Sequence, residues 1–208
     1  MEQIVQLNSQ AKLSEHFKLG EMTKSSSHPE VYNIPSHEAI ANLKRVCGWL
    51  EVLRKRYNDK YNACHLERSR EISPRAALGR DDKGGTLGMT GGGTLDMTMA
   101  PVSSRLSEAH GEISEKPIII NSGYRSPQLN KKIGGVAGSN HLTGCAVDIR
   151  VLGMEQLIRY ATILLDYADE SKQDFDELLI ERNRYGAIWL HFAVRPFSNR
   201  RKVLFIQA

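Results

Sequence analysis

Asn121 to Arg150 reads NSGYRSPQLNKKIGGVAGSNHLTGCAVDIR. The end of this stretch alternates: Val147, Ile149 and Val151 fall on one side of a strand, Ala146, Asp148 and Arg150 on the other. A strand of this kind, entered from a glycine-rich loop, predicts a sheet with one apolar face and one chemical face. His141 lies in the loop, Asp148 leaves the strand opposite the core side, and a further His, His191, stands in Trp189-Leu190-His191-Phe192. Two His and one carboxylate are a donor set that suits zinc and leaves a fourth position open. Arg125, in Ser122-Gly123-Tyr124-Arg125-Ser126, offers a planar fork for an anionic group.

Just upstream, Pro117 to Asn121 is a short apolar run that reads as a buried strand delivering the Ser122 to Ser126 loop. A short helix is expected after Pro127, and Gly134, Gly135 and Gly138 then break structure. Plain turn chemistry accounts for those glycines without a ligand. Downstream, Met154 to Ala168 predicts an amphipathic helix with Met154, Leu157, Ile158, Ala161, Leu164, Leu165 and Ala168 on its buried face. Phe175 to Glu181 and Ala187 to Val194 flank Arg182-Asn-Arg-Tyr-Gly186 and read as a hairpin. In its second strand Ile188, Leu190, Phe192 and Val194 alternate with Trp189, His191 and Ala193, so His191 and Asp148 can converge on one side of a sheet. Val203 to Gln207 reads as a last edge strand or a frayed tail.

Toward the N-terminus, residues 1–35 read as an irregular arm. A helix is expected from Ser36, a good N-cap, to near Tyr61, with Ile40, Leu43, Cys47, Leu50, Leu53 and Tyr57 on one apolar face. It is scaffold, with Cys47 as a small buried residue. His16 and His28 are ligand candidates by residue type only and read as structural or solvated. Residues 62 to about 115 have no sustained period and carry Gly84-Gly85, Gly91-Gly92-Gly93 and a near-repeat, GGTLGMT and GGTLDMT. This segment reads as a low-complexity, disordered insertion in one domain spanning 1–208. Closure entropy grows only with the logarithm of loop length, so the fold can tolerate it. It has no GxxxxGK[ST] phosphate loop.

The chain has 208 residues, 40% hydrophobic and 25% charged, with a formal charge of +4. That is one globular domain with mild attraction for an anionic polymer. The cations are dispersed and no nucleic-acid motif is present, so nucleic-acid binding is not expected. Three Cys without a CxxC read as reduced thiols. No apolar run reaches the ~20 residues of a membrane span. The N-terminus has no signal-peptide pattern, so the chain is expected to be cytoplasmic as synthesised and to reach a cell wall only after release.

SGYRS, the following GG, SxHxxGxAxD from Ser139 to Asp148, and WxH resemble the zinc D-Ala-D-Ala carboxypeptidase family, nearest its small phage-type branch. The resemblance spans roughly Leu13 to Tyr61 and Lys116 to Phe192. It implies an α+β fold, a small, mostly antiparallel sheet with packed helices of the Hedgehog/DD-peptidase kind. It implies a monomeric zinc peptidase acting on peptidoglycan stem peptides. His141, Asp148 and His191 would hold Zn2+; Arg125 would bind substrate or a developing oxyanion; Ser139 would contact substrate or simply bond within its loop. Many members carry an acidic base three residues before the last His, where this chain has Ile188. Glu181, brought across from His191 by the hairpin, is the expected substitute, an exposed strand-end Glu being the alternative. Cys145 is a weaker candidate for an added thiolate. A non-catalytic zinc-bearing wall-peptide binder, or a phage structural component with the same fold, are the competing readings.

Overall fold

In the computed structural model, residues 9–25, 27–71 and 115–207 are described. The chain divides into two compact units, residues 1–61 with 115–208, and residues 62–114. The expected low-complexity insertion lies outside the described residues, apart from helical residues up to Glu71. The described elements are α1 (Leu19–Thr23), α2 (His37–Glu71), β1 (Ile120–Ser122), α3 (Pro127–Lys132), a 3-10 turn (Asn140–Thr143), β2 (Ala146–Arg150), α4 (Met154–Ser171), β3 (Glu177–Arg182), β4 (Ile188–Ala193) and β5 (Lys202–Gln207), and all but the last turns of α2 belong to the first unit. The five strands form one sheet in the order β1-β2-β4-β3-β5. Every pairing is antiparallel except β3 with β5. This is an α+β fold.

Helix α2 begins as its sequence predicts. Ser36 Oγ accepts from the Ala39 N–H at 3.1 Å, satisfying one of the unpaired donors of the first turn. Leu43, Cys47, Leu50 and Leu53 are fully buried along one stripe. The helix runs on to Glu71 rather than stopping near Tyr61, because no Gly or Pro interrupts Asn62 to Ser73. Trp49 carries the contact from α2 to the sheet, its ring 5.3 Å from Phe192 and 4.7 Å from Tyr167. Burial pushes the Cys47 thiol up to about 12, which leaves it a small apolar filler.

The face of α4 differs from expectation. Leu157, Tyr160, Ile163, Leu164 and Ala168 are buried, whereas Met154 and Ile158 are about half exposed. Apolar residues occupy so much of this helix that periodicity alone does not choose the buried stripe. Tyr160 chooses it, packing edge-to-face on Tyr57 of α2 with ring centroids 4.9 Å apart.

Two other expectations shift. The apolar run at residues 117–121 is not a buried strand. The strand is Ile120–Ser122 at the sheet edge, so Ile118 is buried while Ile119 is exposed. The arm before α2 is more ordered than it read. Phe17, Leu19 and Met22 join the core, and Asn33 binds the backbone carbonyls of Thr23 and Tyr124 at 2.8 and 2.7 Å. Among the described residues no helix is long and apolar enough to cross a membrane.

The buried stripe of α4 can be checked by substitution. Leu157→Ala should cost about 2–5 kcal/mol in a urea titration, and Ile158→Ala well under about 1 kcal/mol. Equal losses would contradict the orientation described.

Candidate metal centre

Strands β2 and β4 pair so that Asp148 lies directly opposite His191. Their neighbours Val147, Ile149, Leu190 and Phe192 are wholly buried in the core on the other face. Strict alternation therefore forces the two polar side chains onto one side of the sheet. His191 Nδ1 is 2.9 Å from Asp148 Oδ1. His141 reaches the same oxygen from the 3-10 turn, with Nε2 at 3.3 Å. Each of the three residues is under 7% exposed.

Local backbone chemistry holds His141. Ser139 caps its turn, accepting from the His141 N–H at 3.4 Å. Gly144 ends the turn at φ 72°, and a Cβ there would stand 2.5 Å from the Ala39 carbonyl oxygen of α2. Gly123 is just as constrained, since its Cβ would meet the Met22 carbonyl at 2.5 Å. That close approach brings the Gly123 carbonyl to the His141 ring, where it accepts from Nδ1–H at 2.6 Å. With its proton fixed on Nδ1, His141 turns the Nε2 lone pair toward Asp148.

One donor atom from each of His141, Asp148 and His191 lies within 4.8 Å of the others, so the group could hold a metal ion. Two imidazole nitrogens converging on one carboxylate oxygen in a dry setting are the donor types zinc takes. Arg125 completes the surroundings. Its Nη2 donates to Asp148 Oδ2 at 2.5 Å and its Nε to Ser122 Oγ at 2.9 Å. Arg125 also lines a groove of about 630 Å³ together with Lys24, Tyr124, Ile133, Asn183 and Trp189. The three donor residues do not line this groove; it meets them through the Arg125–Asp148 pair.

Glu181 does not stand opposite His191. The five residues 183–187 close the hairpin on the Arg182–Ile188 pair, which puts Glu181 opposite Trp189 and Leu179 opposite His191. Glu181 keeps the Asp148–His191 side of the sheet as a diagonal neighbour of His191, roughly 7–8 Å off by sheet geometry. It is half-buried, and burial raises its carboxyl pKa, with Asp148 adding to the rise and His191 opposing it. By the same alternation Ile188 lies on the opposite face from His191. Cys145 precedes β2 with its pKa raised by burial, and it is not among the grouped donors. His16 and His28 pair with Glu51 and Glu30, away from the cluster.

Glu177 escaped the sequence reading. Its Oε2 lies 3.7 Å from His191 Nε2. The signal was available, since counting back from Glu181 by twos reaches Glu177 on the same face. Its neighbours hold it well away from a proton-carrying role. His191 first, then Asn140 and Arg200 against the effect of burial, bring its pKa down to about 2.

A comparison with known families adds an independent line. A family model matches residues 89–170. The family is peptidase M15. This is the zinc D-Ala-D-Ala carboxypeptidase family that the SGYRS and SxHxxGxAxD motifs resemble. The match includes Arg125, Ser139, His141 and Asp148 but ends before Glu181 and His191, whose placement rests on strand geometry. No curated protein matches the chain.

The charges of the metal-free cluster carry a pH signature. Burial opposes the charge on His191, but Asp148 and Glu177 outweigh it and push its pKa up from 6.5 to about 9. Its contribution to stability is full below pH 6.5 and is lost as pH rises through 9. Burial would raise the Asp148 pKa, yet His141 and His191 hold it far below the ordinary 3.8, so its contribution is lost only as pH falls into strong acid. Chelator-treated protein should therefore be most stable between pH 3.8 and 6.5 as far as this pair decides. Urea unfolding across pH should show a decline toward about pH 10 that His191→Gln abolishes.

Proposed function

We propose that the chain is a zinc-dependent peptidase that cleaves D-Ala-containing or related bonds in peptidoglycan stem peptides. The observation that carries this reading is the convergence of His141 Nε2 and His191 Nδ1 on Asp148 Oδ1 beside a groove lined by Arg125. His141, Asp148 and His191 would hold the ion. When bound, zinc supplies a Lewis acid that acidifies water and polarises a scissile carbonyl.

The protein's own groups supply the rest. The Gly123 carbonyl keeps the His141 tautomer that frees Nε2. Arg125 holds Asp148 by its second oxygen, and its remaining N–H donors serve a substrate carboxylate or a developing oxyanion in the groove. Ser139 orients the His141 turn and is a second candidate for substrate contact. Glu181 is the general base. Its raised pKa suits a group that takes up and returns a proton, whereas Glu177 is fully engaged in ion pairs. Trp189, opposite Glu181, forms part of the groove wall at that point. All these groups come from one chain, in keeping with a monomer. The phage-type affiliation and action on a cell wall after release belong to the same reading.

A non-catalytic wall-peptide binder is the second reading, favoured by Ile188 in place of an acidic residue three positions before His191. Glu181 separates the two. Purified protein should carry close to one zinc per chain by elemental analysis, and His191→Ala should lose it. Glu181→Gln should keep the zinc and release muropeptides roughly 10²–10⁴-fold more slowly than wild type. A zinc-replete wild type that releases none would leave the binding reading standing.

A further inference from the structure

Glu177 opens β3 on the ligands' side of the sheet. Besides its approach to His191, its Oε2 accepts from Asn140 Nδ2 at 2.9 Å and its Oε1 from Arg200 Nη2 at 2.8 Å, with Lys202 Nζ 3.6 Å from Oε1. Arg200 also grips the adjacent Asp176, Nε to Oδ1 at 2.8 Å and Nη2 to Oδ2 at 2.6 Å. Asp176 is completely buried, and its Oδ2 takes a further bond from Asn140 at 2.8 Å. Asn140 is the first residue of the turn that carries His141. One bonded cage thus reaches both histidines, His191 through Glu177 and the His141 turn through Asn140.

The nitrogens of an imidazole point from opposite edges of the ring. His191 gives Nδ1 to Asp148 and turns Nε2 toward Glu177. An ion shared with Asp148 and His141 Nε2 sits on the Nδ1 edge, so Glu177 is not a further ligand to it. At 3.7 Å the contact is electrostatic rather than a full hydrogen bond. Asp148 Oδ1, 2.9 Å from Nδ1, is the closer carboxylate, and an ion shared by the two would take the place of a proton between them, with Glu177 keeping the remaining ring proton on Nε2. We propose that Glu177, held by Arg200, is the positioning residue that sets the tautomer and orientation of His191 and thereby the metal affinity of the centre. This rests on the metal-binding reading given above. It assigns to His191 the role that the Gly123 carbonyl performs for His141, with a charged acceptor in place of a neutral one.

The test is the zinc dissociation constant of the full chain, measured by competition with a chromophoric chelator, with melting of the zinc-free protein followed alongside. Glu177→Gln and Glu177→Ala should each weaken zinc binding by about 10–100-fold, with the zinc-free melting temperature lowered because each loses the Arg200 and Lys202 ion pairs. Arg200→Met should weaken it too, with Arg200→Lys recovering part of the loss. Cobalt substituted for zinc should show an altered visible spectrum in Glu177→Gln. If Glu177→Ala does not fold, Glu177→Gln decides. Folded variants that bind zinc within about twofold of wild type would overturn the proposal. So would a cobalt spectrum left unchanged in Glu177→Gln, since that marks a structural role only. A wild type that binds no zinc would defeat the metal reading itself, a result distinguishable from a change confined to the variants.

Discussion

Everything chemical in this protein depends on burying one carboxylate. Asp148 is 6% exposed in a sheet whose other face is packed against α2 and α4. An ionised carboxylate in that setting is costly unless each oxygen is compensated. The protein compensates both. Oδ1 faces two imidazoles, and Oδ2 faces a guanidinium. The result is a buried negative charge surrounded on both oxygens by nitrogen groups of Arg125, His141 and His191.

The supports of this carboxylate are unequal in kind. His141 is placed by glycines: a left-handed turn at Gly144 and a close backbone approach at Gly123. His191 is placed by strand pairing, with the Glu177 carboxylate 3.7 Å from its Nε2. Arg125 needs both its side-chain bond to Ser122 and the bond from its own N–H to the His141 carbonyl at 3.0 Å. The arm that carries Met22 and Asn33 thereby becomes part of the site's architecture, although its histidines, His16 and His28, are not among the grouped donors.

Much of this was legible from the residues. Alternation alone put Asp148 and His191 on one side of a sheet, because a two-residue period leaves no other choice when one face is apolar. The hairpin was legible for the same reason. Its register was not. Closing the five residues 183–187 is a property of loop geometry, and it puts Glu181 two residue pairs away from the Leu179–His191 pair. The face of α4 was illegible because apolar residues cover too much of the helix for periodicity to choose. The strand at residues 117–121 was misjudged because an apolar run says nothing about whether a partner lies on both of its edges. Glu177 and Arg200 were missed because their significance depends on the parallel return of β5, a long-range pairing that composition does not announce.

The order of the sheet has one more consequence. His191 and Asp148 sit on β4 and β2, which have hydrogen-bonded neighbours on both sides, while the edge positions belong to β1 and β5. Edge strands fray first, and their amides exchange with solvent through small local openings. The amides of the central strands are released only by openings that approach the whole domain. Breathing at either margin therefore leaves the Asp148–His191 pairing in place, while the supports drawn from the margins, Ser122 and Gly123 at β1 and Arg200 beside β5, move with it.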